Sequence, residues 1–161
     1  MRVPAWCTKL RIAESATAAS KRKTEVQEVQ STTMAAVHRV LLVDDNTDSA
    51  EPLSLLLRSL GHETRVAVEG EQAISIADTF IPTCVVLDLG LPGMDGLEVA
   101  RRLRERPYGR GLLLIALTGW DGKEIRSEAA AAGFDHHLVK PVNLPELERI
   151  VTGEGARRQV Q

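Results

Sequence analysis

Four short apolar runs in this chain each end in a polar residue: Val40 to Val43 before Asp44 and Asp45, Cys84 to Leu87 before Asp88, Leu112 to Leu117 before Thr118, and His137 to Val139 before Lys140 and Pro141. Continuous Val/Ile/Leu runs of this length are the pattern of strands buried on both faces, as in parallel sheets. Helical patterns fill the intervals. Asp48 to Leu60 places Leu53, Leu56, Leu57 and Leu60 on one face and stops at Gly61. Glu63 to Val68 reads as a second strand, and an Ala/Ile helix follows from Gly70 to Phe80. Leu97, Val99, Ala100 and Leu103 mark a third helix ending before Pro107; Lys123 to Ala132 is a fourth, closed by Gly133; Pro145 to Val151 begins a fifth. Alternating strands and helices imply an α/β fold, with right-handed crossovers and helices on both faces of a parallel sheet. Ligands of such sheets gather at the carboxyl ends of the strands. Asp44, Asp45, Asp88, Thr118 and Lys140 are therefore expected to share one crevice.

At 161 residues the chain falls within the size range of one domain and can bury a real core. Aromatics make up only 3%, so that core must be built from Leu, Val, Ile and Ala. No stretch approaches the ~20 apolar residues of a membrane span, and no membrane partner is expected. The net charge of −2 conceals a division: residues 1–33 carry six basic and three acidic groups, and the rest carries 14 basic and 19 acidic. An acidic globular part lacks the basic footprint of a nucleic-acid binder, so direct nucleic-acid binding is not expected. Cys7 and Cys84 make no disulfide framework and suit a reducing cytoplasm. Cys84, opening an apolar run, reads as a small inert hydrophobe. Residues 1–36 read as a disordered or linker leader, with an alternative start at Met34; 37–152 read as the folded domain and 153–161 as a flexible tail.

The strings LLVDD, LDLGLPGMDG, ALTG and HLVKP stand in the order and at the spacing of one family. From about Val37 to Val151 the chain closely resembles the receiver domain of two-component response regulators. Each string alone is weak evidence, but four in register are specific. The resemblance implies a flavodoxin-like (βα)5 fold, a doubly wound five-stranded parallel sheet of strand order 2-1-3-4-5.

The resemblance also implies a site. Three carboxylates crowded in a crevice repel one another unless a cation intervenes, and hard oxygen ligands suit Mg²⁺, with Mn²⁺ as an alternative. By resemblance, Asp45 and Asp88 bind the metal directly, Asp44 acts largely through water, and the Gly90 backbone carbonyl completes the set. Asp48 reads as a helix N-cap. Asp88 is the expected phosphoacceptor, because a carboxylate can attack phosphorus to give an acyl phosphate. Thr118 would hydrogen-bond a phosphoryl oxygen, and Lys140 would supply a mobile positive charge. The resemblance implies a cis peptide before Pro141.

Two positions depart from the family's commonest pattern. Where an aromatic switch is usual, three residues before the lysine, stands His137, read as a satisfied surface or partner-facing histidine. Next to it is His136, which a strand would point to the opposite side, so the pair is no chelate. Trp120 and the side-chain-free Gly90 occupy positions that influence how water reaches the acyl phosphate. Trp120 reads equally as a shield or as a partner contact.

The expected function is that of a cytoplasmic switch rather than an enzyme. A histidine kinase or phosphotransfer protein would phosphorylate Asp88, and output would pass by protein contact through the face of the fourth helix, fifth strand and fifth helix. With about ten residues after the fifth helix, a stand-alone receiver is expected; a variant is the receiver of a hybrid kinase. Two rivals are a Mg²⁺-dependent phosphatase with an aspartyl nucleophile, whose second acid would fall at Gly90, and a phosphate-independent interaction module, whose expected losses at the Asp and Lys positions are absent.

Overall fold

The computed structural model describes residues 37–153. The expected leader with Met34, and the expected tail beyond Gly153, lie outside the described residues. Five strands, β1 (Arg39–Val43), β2 (Glu63–Ala67), β3 (Cys84–Asp88), β4 (Leu113–Thr118) and β5 (His136–Val139), alternate with five helices, α1 (Thr47–Ser59), α2 (Gly70–Phe80), α3 (Gly96–Arg104), α4 (Lys123–Ala132) and α5 (Leu144–Val151). The strands pair in parallel in the order β2-β1-β3-β4-β5, the expected flavodoxin-like arrangement.

The side-chain period of two divides the core between the sheet's faces. Leu41 and Val43 of β1 pack with Ala73, Ala77 and Leu103 on the face covered by α2, α3 and α4. Val40 and Leu42 pack with Leu53, Leu57, Leu147 and Val151 under α1 and α5. Each apolar run thus serves both layers, which is why it shows no alternation. No helix among the described residues is long and apolar enough to cross a membrane.

Local chemistry sets the element ends. Asn46, not Asp48, caps α1: its side chain accepts from the Asp48 amide, and Asp48 sits in the first turn. Asn143 caps α5 in the same way, accepting from the Glu146 amide, so the helix begins one residue before Pro145. Leu112, expected to open the fourth strand, instead closes a short 3-10 turn at Gly109–Gly111. Gly133 ends α4 with φ of 101°, a left-handed conformation that favours glycine. At the start of α3 a Cβ on Gly96 would lie 2.6 Å from the Asp88 carbonyl oxygen. Only glycine lets that helix abut the end of β3.

At the amino end of the sheet, His62 is 5% exposed and its Nδ1 accepts from the His38 amide at 3.2 Å. The neutral ring must then carry its proton on Nε2, which is buried with no partner among the described residues. Burial first, and His38 second, hold its pKa below the ordinary 6.5, with Glu148 partly opposing. The folded state therefore resists a proton that the unfolded chain accepts. Above pH ~6.5 both states are neutral and the stability is whole; as pH falls from ~6.5 toward the depressed native value, stability is lost. Urea midpoints should fall between pH 7.5 and 5.5, and His62→Gln should flatten part of that slope. A midpoint unchanged over this range would contradict the buried neutral ring.

Candidate functional site

β1 and β3 are neighbours in the middle of the sheet, but β1 leads to α1 on one face and β3 to α3 on the other. Winding reverses there, opening a crevice at the strands' carboxyl ends. Asp44 follows β1, Asp88 closes β3, Thr118 closes β4 and Lys140 follows β5.

Asp44 and Asp88 are almost fully buried, 4% and 7% exposed, and each is held by both oxygens. Asp44 Oδ1 accepts from the Asn46 amide at 2.9 Å, and Asp88 Oδ1 accepts from the Gly90 amide at 2.8 Å. Lys140 Nζ donates to the remaining oxygens, at 2.8 Å to Asp44 Oδ2 and 2.6 Å to Asp88 Oδ2. Desolvation pulls the Lys140 ammonium down, but its bonds and charge interactions with the two carboxylates more than offset this, so its pKa is raised. A cation placed between two buried acids offsets their mutual repulsion.

Asp45 is exposed. One carboxylate oxygen from each of Asp44, Asp45 and Asp88 lies within 4.8 Å of the others. This all-oxygen, acid-rich set fits a hard divalent cation that retains several waters. The fit survives the presence of Lys140, which engages one oxygen of each buried acid and leaves Asp45 free.

Thr118 is buried at the end of β4, where its hydroxyl accepts from the Trp120 amide at 3.1 Å and lies 3.2 Å from the Trp120 carbonyl oxygen, to which it donates. The hydroxyl is thus tied to the following loop. The Lys140–Pro141 peptide is cis. Beside the acids a crevice of about 600 Å³ runs between α1 and the β5–α5 loop, bounded by Asp48, Pro52 and Leu53 on one side and Lys140, Pro141 and Leu144 on the other.

The two unusual positions have different surroundings. His137 is not a satisfied surface residue: it is half-buried, and its Nε2 is buried without a partner among the described residues. It lies beside Ala116 on the face toward α4, while His136 is exposed. Trp120 is 82% exposed and does not cover the crevice in this structure. A Cβ on Gly90 would lie 3.4 Å from Asp88 Oδ1, so a side chain there would border that oxygen directly. Cys84 is wholly buried and its thiol is pushed up to about 12, chiefly by burial and further by Asp135, as an inert core residue should be.

Sequence reasoning missed the amide clamps from Asn46 and Gly90. The signal was there: an aspartate commonly accepts from the amide two residues on, which gives Asp44 and Asp88 fixed rotamers.

The family model of the response regulator receiver domain matches residues 40–152. The chain belongs to the response regulator receiver domain family. This receiver is 38% identical over 112 residues to an uncharacterized 14.6 kDa protein from the sodA1 3' region of Leptolyngbya boryana, covering 70% of this chain and 86% of that one. It is 31% identical to the response regulator PleD of Caulobacter vibrioides over 65% of this chain, but spans only 23% of PleD's length. Among solved structures, the receiver is similar to the receiver domain of the sensor histidine kinase PA1611 from Pseudomonas aeruginosa, which has a magnesium ion coordinated in its active-site cleft. That likeness has a TM-score of 0.66 and 32% identity, covering 73% of this chain and 97% of that one.

Receiver domains are signalling switches of two-component systems rather than conventional enzymes, and they bind Mg²⁺ at an acidic pocket. This receiver carries an acidic cluster of its own in Asp44, Asp45 and Asp88.

Proposed function

We propose that the domain, residues 37–152, is a phosphoacceptor switch in which Asp88 receives a phosphoryl group from a phosphohistidine of a kinase or phosphotransfer protein in the cytoplasm. The observation that carries this reading is the single ammonium of Lys140 shared between buried Asp44 and Asp88, with Thr118 at the end of the next strand. Asp44, Asp45, Asp88 and the Gly90 carbonyl would hold Mg²⁺. When bound, the metal supplies electrostatic neutralisation of the transferring phosphoryl group.

The chain's own residues account for the rest. The Gly90 amide fixes the Asp88 carboxylate, so one oxygen is presented at a constant place to an incoming phosphorus. An Asp88 O–P bond forms as the donor's P–N bond breaks, and the departing imidazole keeps the bonding electron pair. Transfer of this kind needs positioning and charge rather than further covalent chemistry. With Asp88 phosphorylated, negative charge moves outward onto the phosphoryl oxygens, and Lys140 follows it. Thr118 then exchanges its bond to the Trp120 carbonyl for one to the phosphoryl group, which frees the β4–α4 loop. Output passes by protein contact through the face of α4, β5 and α5, either to an effector or onward in a relay.

A Mg²⁺-dependent phosphatase is the rival reading, but Gly90 offers no second acid two residues after Asp88. With Mg²⁺ and acetyl phosphate the full chain should take up phosphate and stop at one per molecule, while a phosphomonoester such as p-nitrophenyl phosphate should not be turned over. Steady ester hydrolysis, lost in Asp88→Asn, would favour the phosphatase.

A further inference from the structure

Where the chain enters the sheet, at the end of β1 opposite Asp44, two histidine rings meet. His38 precedes β1 and His62 precedes β2, and their ring centres lie 5.6 Å apart at a tilt of 58°. His62 is fixed to the domain through its own backbone, whose amide donates to the Leu57 carbonyl at 3.0 Å. The Val37–His38 peptide is tied to the His62 ring: the His38 amide donates to Nδ1 at 3.2 Å. The next peptide is anchored separately, because the His38 carbonyl accepts from the Glu63 amide and the Arg39 amide donates to Thr83 Oγ1, each at 3.0 Å. The chain is therefore firmly held at Arg39, while one peptide earlier it relies on a bond that exists only if a ring nitrogen carries no proton.

Imidazolium donates from both nitrogens, so a protonated His62 and the His38 amide would present hydrogens to each other. We propose that His62 is an acid-operated latch on the chain's entry into β1: on protonation of Nδ1 the Val37–His38 peptide turns over, the His38 amide is released, and the Val37 carbonyl takes its place as the acceptor of the new Nδ1–H. The bond reverses direction, and the rotation is confined to one peptide, since the His38 carbonyl and Arg39 keep their own partners. Nε2 carries a proton in both states, so the exchange concerns Nδ1 alone. The charged groups around the ring come from several elements. His38 opposes the proton and Glu148 of α5 favours it; Arg58 of α1 is engaged by the Thr64 hydroxyl and carbonyl; Arg39 and Glu63, at the starts of β1 and β2, are exposed. Burial is the largest obstacle to the proton, so the ring is neutral near pH 7 and the latch opens in acid. The device lies at the far end of β1 from Asp44 and does not depend on the proposed role of Asp88.

The test follows the unphosphorylated, ¹⁵N-labelled full chain by NMR from pH 8 to 5, reading the His62 imidazole and the hydrogen-exchange protection of backbone amides. His62 should titrate with a midpoint below 6.5. Across that transition the His38 amide should lose protection roughly fivefold, the loss of one ordinary hydrogen bond, while the amides of Arg39 and β3 keep theirs. His62→Gln offers a side-chain oxygen that accepts at every pH, so in that variant the His38 amide should stay protected down to pH 5. His38→Phe keeps the amide and an aromatic ring but removes the charge that opposes the proton, so the His62 midpoint should rise; this variant serves if His62→Gln does not fold. A His62 that takes no proton down to pH 5, a His38 amide that stays protected while His62 titrates, the same loss in His62→Gln, or loss at His38, Arg39 and β3 together, which is unfolding of the whole domain, would overturn the proposal.

Discussion

Asp88→Asn should take up no phosphate above background from acetyl phosphate and Mg²⁺, the largest effect expected of any single substitution in this chain. Asparagine keeps the shape of the side chain and can still accept from the Gly90 amide that fixes Asp88, so the fold should survive. It loses the nucleophilic carboxylate and one of the two anionic partners of Lys140. Intact-mass measurement distinguishes the cases: the parent should gain one phosphate and the variant none. Uptake by Asp88→Asn at the parent's level would place the acceptor elsewhere.

Asp45→Ala should have the second largest effect, on metal binding. Asp45 is exposed and supplies the cluster's carboxylate not engaged by Lys140, so its removal costs the fold little and the cation a direct ligand. Even an outer partner of a bound metal is commonly worth ~10–100-fold in affinity. Calorimetric titration should therefore show Mg²⁺ affinity falling at least about tenfold, with phosphorylation falling in step. Asp44→Ala should weaken binding less, since in the proposed ligand set its carboxylate would act largely through water, and it is already satisfied by Lys140 and the Asn46 amide. Unchanged affinity in Asp45→Ala would refute the proposed ligand set.

The sheet was legible because its central strands are buried on both faces. Runs such as Val40 to Val43 and Cys84 to Leu87 admit little else, and their order followed from the family's motifs. Helix starts were less legible. Asn46 and Asp48 are both good caps, and only geometry shows that Asn46 takes the role and leaves Asp48 in the first turn. The convergence of Asp44, Asp88 and Lys140 could be read from strand ends, because a parallel sheet puts every carboxyl end on one edge.

What the sequence could not show was the state of individual side chains. His137 read as a surface or partner-facing histidine because a strand's alternation tells which face a residue takes, not whether its nitrogens find partners there. His62 was missed because its bond to the His38 amide joins residues 24 apart in sequence. The exposure of Trp120 depends on the course of a loop that no pattern predicts.

Asp88 is the proposed phosphoacceptor, and chemical marking of the modified residue tests that most directly. The full chain is incubated with acetyl phosphate and Mg²⁺, then treated with borohydride, which reduces an aspartyl phosphate to homoserine. Peptide sequencing by mass spectrometry should find homoserine at position 88 alone, and hydroxylamine given before borohydride should abolish the mark. Homoserine at position 44 or 45, or none at any aspartate in a chain that has gained a phosphate, would contradict it.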